Sequence, residues 1–437
     1  GMVVNQAIRA NHAKLFVVAD KTGKLSKLPE SKTLLSEPGM EVNVLNAMAS
    51  VLIDEKLAIT DGVSGLDELK KALSKYTPDK VAGETGVPAE AIREAARALA
   101  SAKKTAILLA YGLPYTAQSK ELAVAAANLA ILTGNAGRDG SGLFLCGEKA
   151  NSQGAIDLGI LPAKGAMGAQ AMLEAAAADK LSALYILGED PVSSYPDRSK
   201  IESALDKASF VVVQDLFLSP TAAKADVVFP AVSFAEKEGT FTNAERRIQR
   251  LHPGISSPGE AKSDLVILEK LLAKFGAQVS YTGPAAIFAA VAASVPGYQG
   301  IDFNAIGPQG AVWGGENLPV AKKNVVAVEG AKAVKGKYRM VTGSTLYHSG
   351  TLSTHASGPL AVVPEPYVEL GREDAKALKI AEGDMVVVKA ANGEMKLKAK
   401  VANRLSKGLV FVPYHFIGAG LNRIYRGESV IPVELSK

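Results

Sequence analysis

Short apolar runs alternate with helix-spaced apolar positions through the first two-thirds of the chain. Residues 14–19 (Lys-Leu-Phe-Val-Val-Ala) read as a buried strand, and 42–55 as a helix. A second helix opens at Pro88, with Ile92, Ala95, Ala96 and Leu99 on one face. Residues 105–110 form a strand, and 118–132 an Ala-rich helix ended by Gly134. Strand and helix in this order predict βαβ units and parallel sheet. A second such series follows. Residues 183–187 are a strand, Asp197 is placed to cap a helix running to Ala208, and 210–214 are the next strand. Ser219 caps a short helix with Pro220 at its first position, where the missing N–H costs nothing. Residues 227–229 close the run. Between the two series, residues 134–159 are rich in Gly and polar groups and read as a crossing between α/β lobes.

The last hundred residues change period. After a Gly-, Pro- and Lys-bearing stretch (307–337), β-type runs dominate at 338–342, 367–370, 385–389, 395–401 and 409–412, interrupted by one helix at 372–378. Asn392-Gly393 is a two-residue hairpin signal. A compact β-barrel is the reading of this part. The division predicted is 1–150, 151–330 and 335–437.

Composition narrows the function classes. The 437 residues are 48% apolar and 21% charged, which excludes disorder and coiled coil. A formal charge of +5, from 49 Lys+Arg against 44 Asp+Glu, is not gathered into basic runs, so nucleic acid has no electrostatic footprint. One cysteine, Cys146, excludes a disulfide framework, a four-thiolate zinc site and a self-contained iron–sulfur cluster. The longest apolar run, 285–295, falls far short of the roughly 20 residues a membrane span needs. A cytoplasmic chain with no membrane insertion is the expectation.

Familiar catalytic patterns are missing. The Gly-rich stretch 134–142 follows a helix and lacks dinucleotide-fingerprint spacing, and no Walker sequence, nucleophile elbow or His-Glu-x-x-His occurs. The five histidines are scattered; His348 and His355 share a loop but make no metal set, and solvated or packed imidazoles are the reading. Glu236 and Glu238 around Lys237 read as a charged turn, and Cys146 as an inert thiol. Three loops do look suited to a polar ligand. Gly188-Glu189-Asp190 follows one strand, Gln214-Asp215 another, and Gly239-Thr-Phe-Thr242-Asn243 a third. Polar groups at carboxyl ends of neighbouring parallel strands are where open α/β sheets bind nucleotides.

Taken in order, 183–191 (Ala-Leu-Tyr-Ile-Leu-Gly-Glu-Asp-Pro), 213–217 (Val-Gln-Asp-Leu-Phe), 225–231 (Ala-Asp-Val-Val-Phe-Pro-Ala) and 236–249 (Glu-Lys-Glu-Gly-Thr-Phe-Thr-Asn-Ala-Glu-Arg-Arg-Ile-Gln) resemble the molybdopterin oxidoreductases. Residues 364–369 and 412–416 (Val-Pro-Tyr-His-Phe) resemble that family's C-terminal domain. The fold this implies is two Rossmann-like parallel-sheet lobes followed by a double-psi β-barrel. Within the family, 343–352 (Gly-Ser-Thr-Leu-Tyr-His-Ser-Gly-Thr-Leu) is similar to the branch of large iron–sulfur (G-type) subunits of respiratory NADH:quinone oxidoreductase. Cofactor-binding members tend to carry an Arg where this chain has Ser344, and an Arg-Gly-Gln-Asn-Asn-x-Gln-Gly stretch at the lobe crossing. Here residues 147–154 keep Asn151, Gln153 and Gly154 but lose the Arg and two amides, groups that would hold a pyrophosphate-bearing cofactor.

The resemblance implies a scaffold: a pterin-domain shell with no cofactor of its own, whose relatives carry iron–sulfur clusters in an upstream part. Its partners would be other subunits of the respiratory NADH dehydrogenase complex, at the inner face of the cell membrane, and no catalytic or metal residue is assigned. The alternative it implies is a catalytic molybdenum or tungsten enzyme such as a formate dehydrogenase, holding molybdopterin guanine dinucleotide between the lobes and under the barrel. By motif correspondence, Gly188, Glu189, Asp190, Gln214, Asp215, Thr242 and Asn243 line one guanosine end, and Ser344, His348, Ser349 and Thr351 the barrel side.

Overall fold

Helix Glu41–Asp54 organises the first lobe, because ten of its fourteen residues are buried. It packs against helices Pro78–Thr85, Ala89–Ser101 and Ser119–Leu132. Leu34, Leu52, Leu69, Ile92 and Leu129 are almost wholly inaccessible in the shared core, each stabilising the lobe by roughly 1.5–3 kcal/mol. The computed structural model describes residues 2–110, 118–147, 149–278, 281–314, 323–348 and 350–437. They form two units, residues 1–146 with 320–437, and residues 147–319.

In the first unit, strands β1 (Leu15–Ala19) and β2 (Ser31–Leu35) pair in parallel, as do β3 (Ala106–Ala110) and β4 (Gly142–Cys146). Strand β4 corrects the sequence reading of 134–159 as a plain crossing. Its Leu-Phe-Leu core sits behind a Gly-rich run that masks it as loop. Residues 323–331, part of the Gly/Pro/Lys stretch, are clamped on the lobe by buried amides. Asn128 donates to Val326 O at 2.7 Å and accepts from Val326 N at 3.0 Å. Asn46 and Asn43 donate to Val328 O and Ala331 O, each at 3.0 Å. Gly65, at φ +79°, lets this segment pass, since a Cβ there would stand 2.2 Å from Val325 O.

The second unit holds β5 (Ala183–Leu187), β6 (Phe210–Asp215) and β7 (Val227–Pro230), all parallel. Helices Ala169–Ala177 and Arg198–Lys207 pack together, with Leu173, Ile201 and Leu205 closing over Leu184, Val211 and Val213. Asp197 stands before the latter helix but does not cap it: its backbone is left-handed (φ +58°), and its carboxylate accepts from the Ser199 hydroxyl at 2.7 Å. Ser219 accepts from Ala222 N at 3.2 Å, but the short helix is a single 3-10 turn (Ala222–Lys224) whose N-cap is Thr221, so Pro220 stands before the helix rather than at its first position. The segment read as a ligand loop, 239–243, is mostly strand: β8 (Gly239–Thr242) pairs antiparallel with β9 (Arg247–Leu251), and β9 with β10 (Ala311–Val312). Glu238 of the charged turn pairs with Arg250 at 2.7 Å, and Glu236 accepts from Ser233 N at 2.8 Å.

The barrel returns to the first unit. Strands β11 (Tyr338–Gly343), β12 (Tyr367–Gly371), β13 (Met385–Ala390), β14 (Gly393–Ala402), β15 (Leu409–Pro413) and β16 (Ile431–Ser436) close in the order β11-β15-β12-β14-β13-β16. The pairs β11–β15 and β12–β14 are parallel. The sixth strand, β16, alternates inward Ile431, Val433 and Leu435 with exposed residues, but Pro432 hides it from a strand reading. The hairpin turn is Ala391-Asn392, one residue before the predicted dipeptide, because Gly393 already pairs with Ala390. Core packing of Met395, Leu397 and Ala399 against Val386 and Val388 sets that register. A one-residue slip would turn Lys396 and Lys398 inward.

Candidate functional site

At the carboxyl ends of β5 and β6, the predicted polar residues do come together, but most are engaged by protein. Asp190, 8% exposed, accepts from Thr221 N at 3.1 Å and from the Thr221 hydroxyl. Gln214 is fully buried, accepting from Tyr185 OH at 2.5 Å and donating to Asp264 at 2.6 Å. Glu189 accepts from Ser194 Oγ at 2.8 Å, while Gly188 is exposed at a φ of +63°. Asp215 remains half-buried, accepting from Leu216 N at 2.7 Å. Burial pushes its carboxyl above the usual range, and the charges of Asp190 and Glu189 add to the rise.

Thr242 and the retained crossing residues form one closed network. Thr242 N donates to Asn151 Oδ1 at 2.8 Å, and its hydroxyl meets Tyr298 OH at 2.7 Å. Tyr298 donates on to Asp157 at 3.0 Å, and Gln153 donates to the other oxygen of Asp157 at 2.7 Å. Burial pushes the Tyr298 hydroxyl up to about 12. Asn243 accepts from Glu245 N and Arg247 N, holding the β8–β9 turn. Tyr298 is absent from every sequence motif considered, and nothing in its neighbourhood along the chain marks it.

The barrel end where β11 and β15 finish is different in kind. Tyr414 N donates to Gly343 O at 3.3 Å, joining the two strand exits, and Thr345 N donates to His348 O at 3.2 Å within the segment after β11. His348 and His415 are fully buried and stack, ring centres 4.6 Å apart. His348 is engaged at both nitrogens, by Ser353 Oγ at 3.0 Å and Val363 O at 2.9 Å. By contrast, both ring nitrogens of His415, the Thr342 hydroxyl and the Thr345 hydroxyl are buried with no protein partner. Burial, then His348 beside it, holds the His415 imidazole down to about 4. Ser344 is exposed, Thr351 is half-buried and Ser349 lies outside the described residues. Thr342, Thr345 and His415 were not singled out as site residues in sequence, although 343–352 carries Thr345, 412–416 carries His415 and Thr342 ends the β-type run 338–342.

A further strand end was missed. Asp20 follows β1, paired with Lys21 at 2.9 Å, and Ser36 follows β2 with a buried hydroxyl lacking a protein partner. Glu41 opens the next helix, its carboxyl raised to about 7 by burial and then by Asp20. The signal available was an acid directly after an apolar strand and Pro38-Gly39 before a helix. A groove of about 790 Å³ elsewhere in this lobe, near Phe16 and Leu57, has its charges paired across it as Arg97–Glu55 and Lys32–Glu94. It carries none of these orphaned groups. Among the described residues, no three His, Cys, Asp or Glu side chains gather as a metal set, and no helix is long and apolar enough to cross a membrane.

Comparison with known proteins places the chain in a family. Residues 2–274 match the molybdopterin oxidoreductase family model, and 338–434 the molydopterin dinucleotide binding domain. The alpha subunit of the F420-dependent formate dehydrogenase of Methanocaldococcus jannaschii is 31% identical, over 94% of this chain and 70% of its own length. The second G-type subunit of NADH-quinone oxidoreductase from Rhizobium meliloti is 30% identical, over 99% of this chain and 52% of its own. In fold, acetylene hydratase from Pelobacter acetylenicus superposes with a TM-score of 0.78 at 16% identity, covering 99% of this chain and 75% of that one. With parallel-sheet lobes, a closed six-stranded barrel and both models matched in order, the chain belongs to the molybdopterin oxidoreductase family.

Proposed function

We propose that this chain is the dinucleotide-holding part of one component of a multi-subunit oxidoreductase, and that its barrel keeps a working site for molybdopterin guanine dinucleotide. One observation carries the reading: the Thr342 and Thr345 hydroxyls and both His415 nitrogens are buried without partners at one barrel end. Leaving such groups unpaired costs about 1–3 kcal/mol each, and a ligand rich in phosphate oxygens and ring amides relieves that cost. These residues, with Ser344 and Thr351 at the rim, would bind and orient the group. Asp20 and Glu41 offer carboxyl acceptors to a donor-bearing base in the first lobe, and Asp215 does so in the second unit. When bound, such a pterin and its molybdenum or tungsten supply two-electron redox chemistry. The relatives named as alpha subunits of formate dehydrogenases support the reading.

The second reading is a scaffold in a respiratory NADH dehydrogenase, without cofactor. A specific observation favours it: Asn151, Gln153 and Thr242 spend their polar groups on one another and on Tyr298 and Asp157. The similarity to the Rhizobium meliloti NADH-quinone oxidoreductase protein supports it too. The barrel at 335–437 would then serve as structure beside the segments 1–150 and 151–330, and the complex would sit at the inner face of the membrane. Calorimetric titration of the chain with GDP separates the two. Saturable binding that Thr345→Val and His415→Phe abolish upholds the dinucleotide site; no heat at any concentration favours the scaffold.

A further inference from the structure

Residues 323–331 cross the first lobe outside any helix or sheet, and the lobe holds them chiefly by their backbone. Ser64 N donates to Lys323 O at 2.9 Å and Ser64 O accepts from Val325 N at 3.0 Å, forming a one-residue parallel bridge around Asn324. The side-chain amides of Asn128, Asn46 and Asn43 then serve the peptide groups of Val326, Val328 and Ala331. Tyr76 OH accepts from Gly330 N at 2.7 Å and donates to the Glu329 carboxylate at 3.3 Å, and Lys75 pairs with the same carboxylate.

Side chains select at three places. Val325, 2% exposed, joins the core of the lobe. Glu329 meets Lys75 and Tyr76. Gly330 passes so close to the lobe that a Cβ there would stand 2.1 Å from Asn43 Oδ1. Lys323, Asn324, Val326 and Ala327 are exposed. Extended peptides are bound between separate molecules in the same way, with main-chain bonds giving affinity and a few side-chain pockets giving specificity.

We propose that the surface formed by Asn43, Asn46, Ser64, Tyr76 and Asn128 is a docking groove for an extended peptide, and that residues 323–331 are its resident occupant. The groove fits a segment with an apolar residue, a carboxylate four positions on and a glycine directly after it. Main-chain bonds of this kind are open to any chain of that pattern, so the resident strap is exchangeable. Residues 332–337 lead from it straight into β11, so the strap also helps to tie the barrel to the first lobe. A segment of the same pattern on another polypeptide is the partner that competes for the groove. The groove does not depend on the dinucleotide site proposed above.

The test is fluorescence anisotropy of a labelled synthetic peptide with the sequence of 323–331, mixed with the full chain. In the wild-type chain the tethered strap competes at an effective concentration on the order of millimolar, so no binding is expected with micromolar chain. Gly330→Ala drives a methyl group into Asn43 Oδ1 and unseats the strap. That chain is expected to bind the peptide about tenfold or more tighter than the wild type does. A peptide that itself carries Gly330→Ala should bind it about tenfold more weakly. If the Gly330→Ala chain does not fold, hydrogen exchange of the wild-type chain reads the same groove. Peptide at millimolar concentration should then speed exchange of the Val325, Val326 and Gly330 amides, which bond to the lobe, and leave those of β11 and β15 unchanged. Peptide bound equally by both chains, peptide bound by neither, or strap amides indifferent to peptide overturns the groove.

Discussion

The ends of β5 and β6 in the second unit and the ends of β11 and β15 in the barrel are alike in position and differ in hydrogen bonding, although Ser193 beside the former also has a buried hydroxyl without a partner. Both are carboxyl ends of parallel strands crowded with polar side chains. In the second unit Asp190, Gln214 and Thr242 are each satisfied by a neighbour: Thr221, Tyr185 with Asp264, and Tyr298. In the barrel the Thr342 and Thr345 hydroxyls and both ring nitrogens of His415 are buried without protein partners. A buried polar group with a partner stabilises the fold, whereas one without a partner is a standing cost that a ligand can remove. Polar residues at strand ends therefore do not by themselves mark a binding site. In the function proposed above, the sign is several unmet hydrogen bonds gathered at one strand end.

The largest effect that could break this contrast is at Asp190. Asp190→Ala orphans the Thr221 N–H and hydroxyl in a buried setting, and is expected to cost about 3 kcal/mol of stability in urea unfolding. A loss below about 0.5 kcal/mol would mean that the second unit's polar cluster is not structural after all.

Next in size is the pH dependence of the first unit. The folded-state pKa of His415, about 4, is below its ordinary value. The stability it contributes is therefore present above about pH 6.5 and lost as pH falls through 4, by up to about 3 kcal/mol. His415→Phe should flatten this acid arm. Glu41 has the opposite sign. Its folded-state pKa is raised to about 7, so its contribution is present below about pH 4.5 and lost as pH rises through 7. Glu41→Gln should flatten that arm and leave the acid arm intact, as read by thermal melts from pH 4 to 8.

Two threonines give the sharpest pair. Thr242→Val removes a hydroxyl bonded to Tyr298, with an expected loss of about 1–2 kcal/mol. Thr342→Val removes a hydroxyl with no partner, so stability should stay within about 0.5 kcal/mol or rise, while GDP affinity falls. Equal destabilisation in both variants would erase the distinction between the two strand ends.

Much of the architecture is legible in the sequence, and the misses have physical causes. Strand 183–187 and helix 372–378 have the bounds their patterns predict, the strand stopping at Gly188 and the helix opening after Gly371. Strand β4 is hidden behind a Gly-rich run, and β16 behind Pro432. The Asn392-Gly393 signal locates the hairpin but misses its turn by one residue, since inward packing of Met395 and Leu397 outranks local turn preference. Of the site residues expected from sequence, Asp190, Gln214 and Thr242 are engaged with protein, and His348 is engaged at both ring nitrogens. The orphaned Thr342, Thr345 and His415 carry no such mark, since a sequence does not say which donors will lack acceptors.

By itself the sequence determined the α/β-then-β plan, through the change of hydrophobic period near residue 338, and the family, through motifs spread along the chain. Both are local properties, fixed by which residues lie within a few positions of one another. Tertiary structure alone decided which polar groups meet. It brought Asn128 to Val326 across 198 positions and Tyr298 to Asp157 across 141, and it stacked His348 on His415 at the barrel end. Hydrogen bonds are short-ranged and directional, so whether a buried donor is satisfied depends on ångström-scale placement that only the folded chain provides.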